Sequence, residues 1–181
     1  METTAMNKLG LLVMVGVICG GNLPAFSMNG TSDLVTNTVI LDAPPSQVWD
    51  AIKAARASDP SHRRVVSYSG TDYVIEETFN KIPMLGSVNC KYVEHELSDK
   101  KLQYKMISSD KFVAFNGEWE LCPVASGKQT ALRLSSFVDT GIKLPFADKI
   151  TRDSTKRSIN VRLSEVKDEL ARSKTLVSKA Y

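Results

Sequence analysis

The sequence predicts an α+β domain in which a curved antiparallel sheet of about seven strands wraps on one long C-terminal helix, with a short helix after the first strand. Three observations predict it. Short stretches of alternating apolar residues run from Leu34 to Val138, turn chemistry separates them, and the tail after Pro145 carries neither proline nor glycine and has helical spacing. Strands joined by short breaks pair as antiparallel hairpins. A sheet that is apolar on one face needs a layer to cover it, and the tail is the element available.

The first strand spans Leu34 to Leu41, with Val35, Val39 and Leu41 on one face and Thr36 and Thr38 on the other. Asp42-Ala43-Pro44-Pro45-Ser46 stops it, because proline cannot donate to a ladder yet loses nothing in the first turn of a helix. Val48, Trp49, Ala51, Ile52, Ala54 and Ala55 then recur with helical spacing, up to Ser58-Asp59-Pro60.

From Arg64 onward, turns fall at Ser69–Asp72, Pro83–Gly86, Ser98–Lys100, Ser108–Asp110 and Ala125–Lys128. Within each strand one parity is the more apolar: Tyr73, Ile75 and Phe79; Val88, Cys90 and Tyr92; Leu102, Tyr104 and Met106; Phe115, Trp119 and Leu121; Leu132 and Leu134. Alternate residues share a face, so these side chains point to one concave surface. The tail carries Ile150, Val161, Leu163, Val166 and Leu170 among many charges, as an amphipathic helix does. Its first half has Thr151, Ser154, Thr155 and Ser158 where a packed helix carries leucine. Either this turn is solvated or it lines a cavity.

The chain has 181 residues, 43% of them hydrophobic, which suits one domain with a sizeable core. Its 23 basic and 20 acidic residues are interspersed, and no basic stripe of the kind that neutralises nucleic acid stands out. Residues 1–27 run from Lys8 through an apolar stretch, Leu9 to Gly21, to Pro24 and the small-x-small triplet Ala25-Phe26-Ser27. That order reads as a signal peptide cut after Ser27, with an uncleaved N-terminal anchor as the alternative. The stretch falls short of the roughly 20 apolar residues of a membrane span. A secreted or periplasmic location follows as an expectation. Cys90 and Cys122 fall on strands with one other strand between them, about 9–10 Å apart at about 4.8 Å per strand. A disulfide needs Cα atoms within about 7 Å, so two free, buried thiols are expected.

The stretch Thr38-Val39-Ile40-Leu41-Asp42-Ala43-Pro44-Pro45-Ser46-Gln47-Val48-Trp49 resembles the opening of the superfamily that joins START lipid-transfer domains, the birch-pollen allergen fold, polyketide cyclases and coenzyme Q-binding proteins. Gly117-Glu118-Trp119-Glu120-Leu121-Cys122-Pro123, followed by Gly127-Lys128-Gln129-Thr130, is similar to its penultimate hairpin. The resemblance covers residues 34–175 and implies the helix-grip fold, in which sheet and helix enclose a site for a small molecule. It implies no particular ligand, because fold and function separate widely in such superfolds.

Little in the sequence speaks for catalysis. His62 and His95 are the only histidines, and neither has Cys or carboxylate partners at ligand spacing. Glu94 and Glu96 flank His95 on a strand, where neighbours face opposite ways, so the three cannot converge on a metal and read as a solvated face. No Gly-x-Ser-x-Gly elbow occurs. Cys90 faces inward, where apolar surroundings make a thiol inert.

The expected function is therefore non-catalytic binding or transport of a lipid or other apolar molecule, without cofactor or metal. Its expected lining comprises Tyr73, Ile75, Glu77, Phe79, Cys90, Tyr92, Tyr104, Met106, Phe115, Trp119, Leu134, Ile150 and Ser154. The alternative is a cyclase- or hydrolase-like enzyme using Glu77 and a tyrosine as acid and base. A third possibility is a cavity filled by the protein's own large side chains, Phe79, Phe115 and Trp119 among them. Apolar residues in two lysine-flanked turns suggest that Leu85, Ile142 and Phe146 border an entrance or touch membrane lipid. The competing reading has Leu144 and Phe146 as a hydrophobic staple that docks the long helix.

Overall fold

A computed structural model describes residues 34–179. The signal-peptide reading of residues 1–27 lies outside them. In chain order the elements are β1 (Val35–Leu41), α1 (Pro45–Ala55), β2 (Arg63–Ser69), β3 (Asp72–Ile82), β4 (Gly86–Ser98), β5 (Lys101–Ser109), β6 (Ala114–Val124), β7 (Gln129–Asp139) and α2 (Ala147–Lys179). The strands form one sheet in the order β1-β7-β6-β5-β4-β3-β2, every neighbouring pair antiparallel. The sheet and helices predicted from the sequence are present.

Local chemistry accounts for the boundaries. Pro44 caps α1 in extended geometry and Pro45 occupies its first turn. The β2–β3 hairpin closes over Gly70-Thr71, where Gly70 adopts φ +59°, a conformation that glycine takes without strain. The ladders shift register at Val65/Ser67 and at Lys91/Tyr92, and such bulges sharpen the twist that lets a sheet curl. β5 and β6 pair only from Lys101↔Glu120 to Lys105↔Asn116. Beyond that point β5 stays with β4 and β6 with β7, so the sheet parts at one end.

α1 and α2 pack on each other, and α2 lies along β7 and β1. Val48, Trp49, Ala51, Ile52 and Ala55 of α1 are buried, as are Ile159, Leu163, Val166 and Leu170 of α2, spaced by three and four residues on one helical face. Val161, assigned from the sequence to that face, is 58% exposed. It stands two residues from Ile159, about 200° around the helix. Cys90 is a free, buried thiol. The same expectation does not hold at Cys122, which is buried but not free. Among the described residues no helix is long and apolar enough to cross a membrane.

Gly117 of β6 shows how closely the sheet packs. A Cβ built there would collide with the Ser135 carbonyl oxygen and the Tyr104 hydroxyl, one a backbone atom and the other on a buried ring. Gly117→Ala is expected to destabilise the fold by about 3 kcal/mol, read as a lower urea midpoint; an unchanged midpoint would mean that β6 and β7 can separate freely.

Candidate functional site

The site lies between the parted end of the sheet and the first half of α2. Thr151, Ser154, Thr155, Ser158 and Arg162 recur at three- and four-residue intervals and so occupy one face of α2. They line a cavity whose other wall is Phe79, Phe112, Phe115, Leu134 and Val138, with Ile82, Pro83 and Thr140 at the loops. The small polar stretch of the helix is thus a cavity wall and not a solvated turn.

The aromatic wall is dense. Phe79 meets Phe112 and Phe115 at 5.6 and 5.3 Å between ring centroids, and Phe115 meets Tyr92 and Tyr104 at 5.3 and 5.0 Å. Such tilted and edge-on contacts suit ring quadrupoles. The cavity that remains is about 40 Å³, room for about three waters at roughly 10–15 Å³ each. Of the readings left open by the sequence, the filled cavity is the nearer one: the rings of Phe79, Phe112 and Phe115 occupy most of the space.

Charge closes the inner end of the cavity. Arg162 Nη2 donates to Glu77 Oε2 at 2.6 Å, and the Tyr92 hydroxyl donates to the same oxygen at 2.6 Å. Arg162 and Tyr92 are both buried. Burial alone would lower the Arg162 pKa, but Glu77, Tyr92 and Tyr104 together outweigh it and hold the guanidinium well above its ordinary value. Burial first, and then Glu77, push the Tyr92 hydroxyl well above the usual tyrosine range.

Two further ionic groups sit behind this pair. Arg56 donates from Nε to Glu94 at 2.6 Å and from Nη2 to Glu96 at 2.7 Å, while its guanidinium lies 4.2 Å from the Tyr73 ring centroid. Arg63 donates to the Ala55 carbonyl at 2.5 Å and to Glu165 at 2.9 Å, which ties β2 to α1 and α2. Complete burial pushes the Glu94 carboxyl up, against the pull of Arg56. The expectation that Glu94 and Glu96 form a solvated face is overturned, since Glu94 is buried in this ion pair. His95 points the other way and pairs with exposed Asp72.

Of the residues expected to line the site, Phe79, Tyr104, Phe115, Leu134 and Ser154 do so. Ile75, Tyr92 and Trp119 are buried in the core around it, Met106 packs half-buried against that core, and Tyr73 stands under Arg56. Ile150 is half-buried on α2 outside the cavity lining. Glu77 and Cys90 border a different feature, a solvent-open polar trough of about 510 Å³ shared with Arg64, Glu76, Thr78, Asn89, Lys91 and Asp110. The trough is the larger space, but its side chains satisfy one another: Arg64 and Lys91 both pair with Glu76, and Asn89 bonds Thr78 and Asp110.

The entrance assignment changes as well. Leu85 packs against the core, Ile142 is half-buried and Phe146 is 79% exposed, and none of them lines the cavity. Their neighbours Ile82, Pro83 and Thr140 line the cavity instead. The staple reading fails too, because Leu144 is 62% exposed and Phe146 points into solvent beside it.

Sequence reasoning missed Phe112, Ser136 and the arginines 56, 63 and 162. Arg162 carried a usable signal, since it continues the Thr155, Ile159, Val166 stripe. Glu94 did too, sharing the inward parity of Cys90 and Tyr92.

Burial pushes the Cys90 thiol up to about 12, with the Glu77 charge adding to the effect. At pH 8 its thiolate fraction is on the order of 10⁻⁴. Alkylation of Cys90 by iodoacetamide is expected to be slow in native protein and fast in urea. Fast native labelling would show that β3 and β4 open readily around it.

A seven-stranded antiparallel sheet closed by a long C-terminal helix, with a short helix after the first strand and a cavity between the layers, defines a helix-grip protein. The family described as polyketide cyclase / dehydrase and lipid transport matches residues 33–171, and the chain belongs to it. No curated protein matches the chain by sequence. Among solved structures it is similar to the protein TTHA0849 from Thermus thermophilus, at 16% identity and a TM-score of 0.63 over 77% of this chain and 98% of that one. The Zhui aromatase/cyclase from a Streptomyces species gives 14% and 0.62 over 77% and 93%. A START superfamily protein from Mycobacterium smegmatis gives 10% and 0.58 over 77% and 97%. At these identities the likeness is one of fold.

Proposed function

We propose that the chain binds and carries a lipid or other apolar small molecule, without catalysis, between its sheet and the first half of α2, exchanging it at a membrane surface in the cell envelope. One observation carries this reading: α2 faces the Phe79, Phe112 and Phe115 wall with hydroxyls where a sealed core would have leucines. Hydroxyls gain little from contact with rings, so residues 147–158 can move off the sheet at small cost. Such movement exposes an aromatic wall that an apolar molecule would cover. The C-terminal half of α2 stays fixed by Leu163, Val166 and Leu170 and by the ion pairs of Arg162 and Glu165.

The family supports small-molecule binding as a class. The basic, apolar and small-residue order of residues 1–27 supports export. Against acid–base catalysis by Glu77 stands its geometry: one carboxylate oxygen already accepts from both Arg162 and Tyr92. A turnover with bell-shaped pH dependence, lost in Glu77→Gln, would revive that alternative.

Two measurements test the proposal. Protein purified from its own host is expected to release an apolar compound on organic extraction, after a matching mass increment in native mass spectrometry. Purified protein is expected to enhance the fluorescence of the uncharged probe N-phenyl-1-naphthylamine saturably. Absence of both would mean that the rings form a solid core and the domain binds no such ligand.

A further inference from the structure

We propose that the loop end around the cavity mouth is a docking surface for an anionic lipid bilayer, an inference that rests on the binding reading above and names where exchange takes place. Three loops build this end. Lys111, between β5 and β6, donates its Nζ to the Leu85 and Ser87 carbonyls at 2.7 Å each, tying that loop to the β3–β4 turn. Val113 donates its backbone N–H to Asp139 at 2.8 Å, and a Cβ built on Gly141 would lie 2.8 Å from its Cγ2. That joins the same loop to the β7–α2 connection. Pro83, Phe112 and Thr140, one from each loop, line the cavity. The three loops are therefore one rim around one mouth.

The rim carries Met84, Val113, Leu144 and Phe146, all exposed. Two of these are held outward against backbone preference: Met84 has φ +66° and Phe146 has φ +67°, the left-handed region that bulky side chains rarely adopt. At Phe146 the conformation is fixed by hydrogen bonds from Ile150 N to the Phe146 carbonyl and from Ala147 N to the Leu144 carbonyl. Strain of this kind persists where the surrounding structure imposes it, and at Phe146, 79% exposed, it gains little packing within the chain. The four apolar tips are spread over three loops, so they suit a medium that side chains of separate segments can enter.

Charge favours an anionic surface. Lys81, Lys111, Lys143 and Lys149 are exposed on the rim and the start of α2. Asp110, Asp139 and Asp148 offset three of these four charges, since the N–H groups that bond Asp139 and Asp110 are neutral and leave their charge in place. Exposed Arg152, Lys156 and Arg157 extend the basic excess along α2, against Asp153 alone. Lysines around inserted apolar side chains are the chemistry of interfacial binding to anionic lipid. An apolar ligand leaving by this mouth then passes into hydrocarbon and not into water.

The test uses the full chain carrying Phe146→Trp, with vesicles of phosphatidylcholine alone or mixed with phosphatidylglycerol. The native tryptophans, Trp49 and Trp119, are buried and give a constant background. With mixed vesicles the indole introduced at position 146 is expected to shift to the blue and to be quenched by brominated lipid. Adding Lys143→Glu and Lys149→Glu is expected to weaken vesicle binding at least about fivefold, as will high salt. Emission at 146 that stays solvent-like on every vesicle overturns the docking surface, even where residues outside it hold the protein on lipid. Equal response on neutral and anionic vesicles overturns the anionic commitment. Uptake of N-phenyl-1-naphthylamine without vesicles is measured in parallel. Uptake with no signal at 146 refutes the docking surface and leaves the binding reading standing; a signal at 146 with neither uptake nor an extracted compound does the reverse.

Discussion

Arg162→Met is expected to remove about 3–5 kcal/mol of stability, the usual cost of leaving one member of a buried ion pair without its partner. Arg162 holds Glu77 at 2.6 Å, and Tyr92 leans on the same carboxylate. Loss of the guanidinium leaves the Glu77 carboxylate with one hydroxyl and with the water that the neighbouring trough admits. Glu77→Gln alone should cost less, about 2–4 kcal/mol, because the amide still accepts the Tyr92 hydroxyl while Arg162 loses its counter-charge. The double variant is the informative one. A methionine beside a glutamine leaves no buried charge, so most of the loss should return and the coupling energy should reach about 2 kcal/mol or more. Urea titration of the four proteins measures it. Additive losses would mean that the two side chains do not act as a pair and that α2 is held by its apolar stripe alone.

This network also marks the limit of what the sequence discloses. Strand parity placed Ile75, Cys90, Tyr92, Leu102, Phe115 and Leu134 on one face because a two-residue period admits little ambiguity, and those residues are buried or line the cavity. The same parity carried Glu94 inward. A lone carboxylate is stable there only beside a cation, and its cation, Arg56, lies 38 residues away on the segment just after α1. Pairings across such distances leave no local pattern. The loops were less legible still. Whether Phe146 staples a helix or points to solvent depends on one backbone angle, and nothing in Leu144-Pro145-Phe146 announces a left-handed residue. Cavity size was not legible at all, because it depends on how Phe79, Phe112 and Phe115 interlock, and Phe112 sits in a loop outside any strand parity.

Filling the cavity from the helix side should separate binding from stability. Ser154→Leu places an isobutyl group opposite the aromatic wall, in a space of about 40 Å³. Burying such a side chain gains about 1.5–3 kcal/mol, and crowding a packed interior costs about 1–3 kcal/mol. The two nearly cancel, so the urea midpoint should hardly move. Ligand uptake should fall at least about tenfold, a loss of about 1.4 kcal/mol or more. The leucine both occupies room and fastens the first half of α2 to the rings it must leave. Ser154→Ala is the control, since it removes the hydroxyl and adds no bulk, and uptake should survive it. If Ser154→Leu binds N-phenyl-1-naphthylamine as well as the parent does, the probe does not enter between helix and sheet. The hydroxyl face of α2 would then be a packing compromise and not the wall of a binding site.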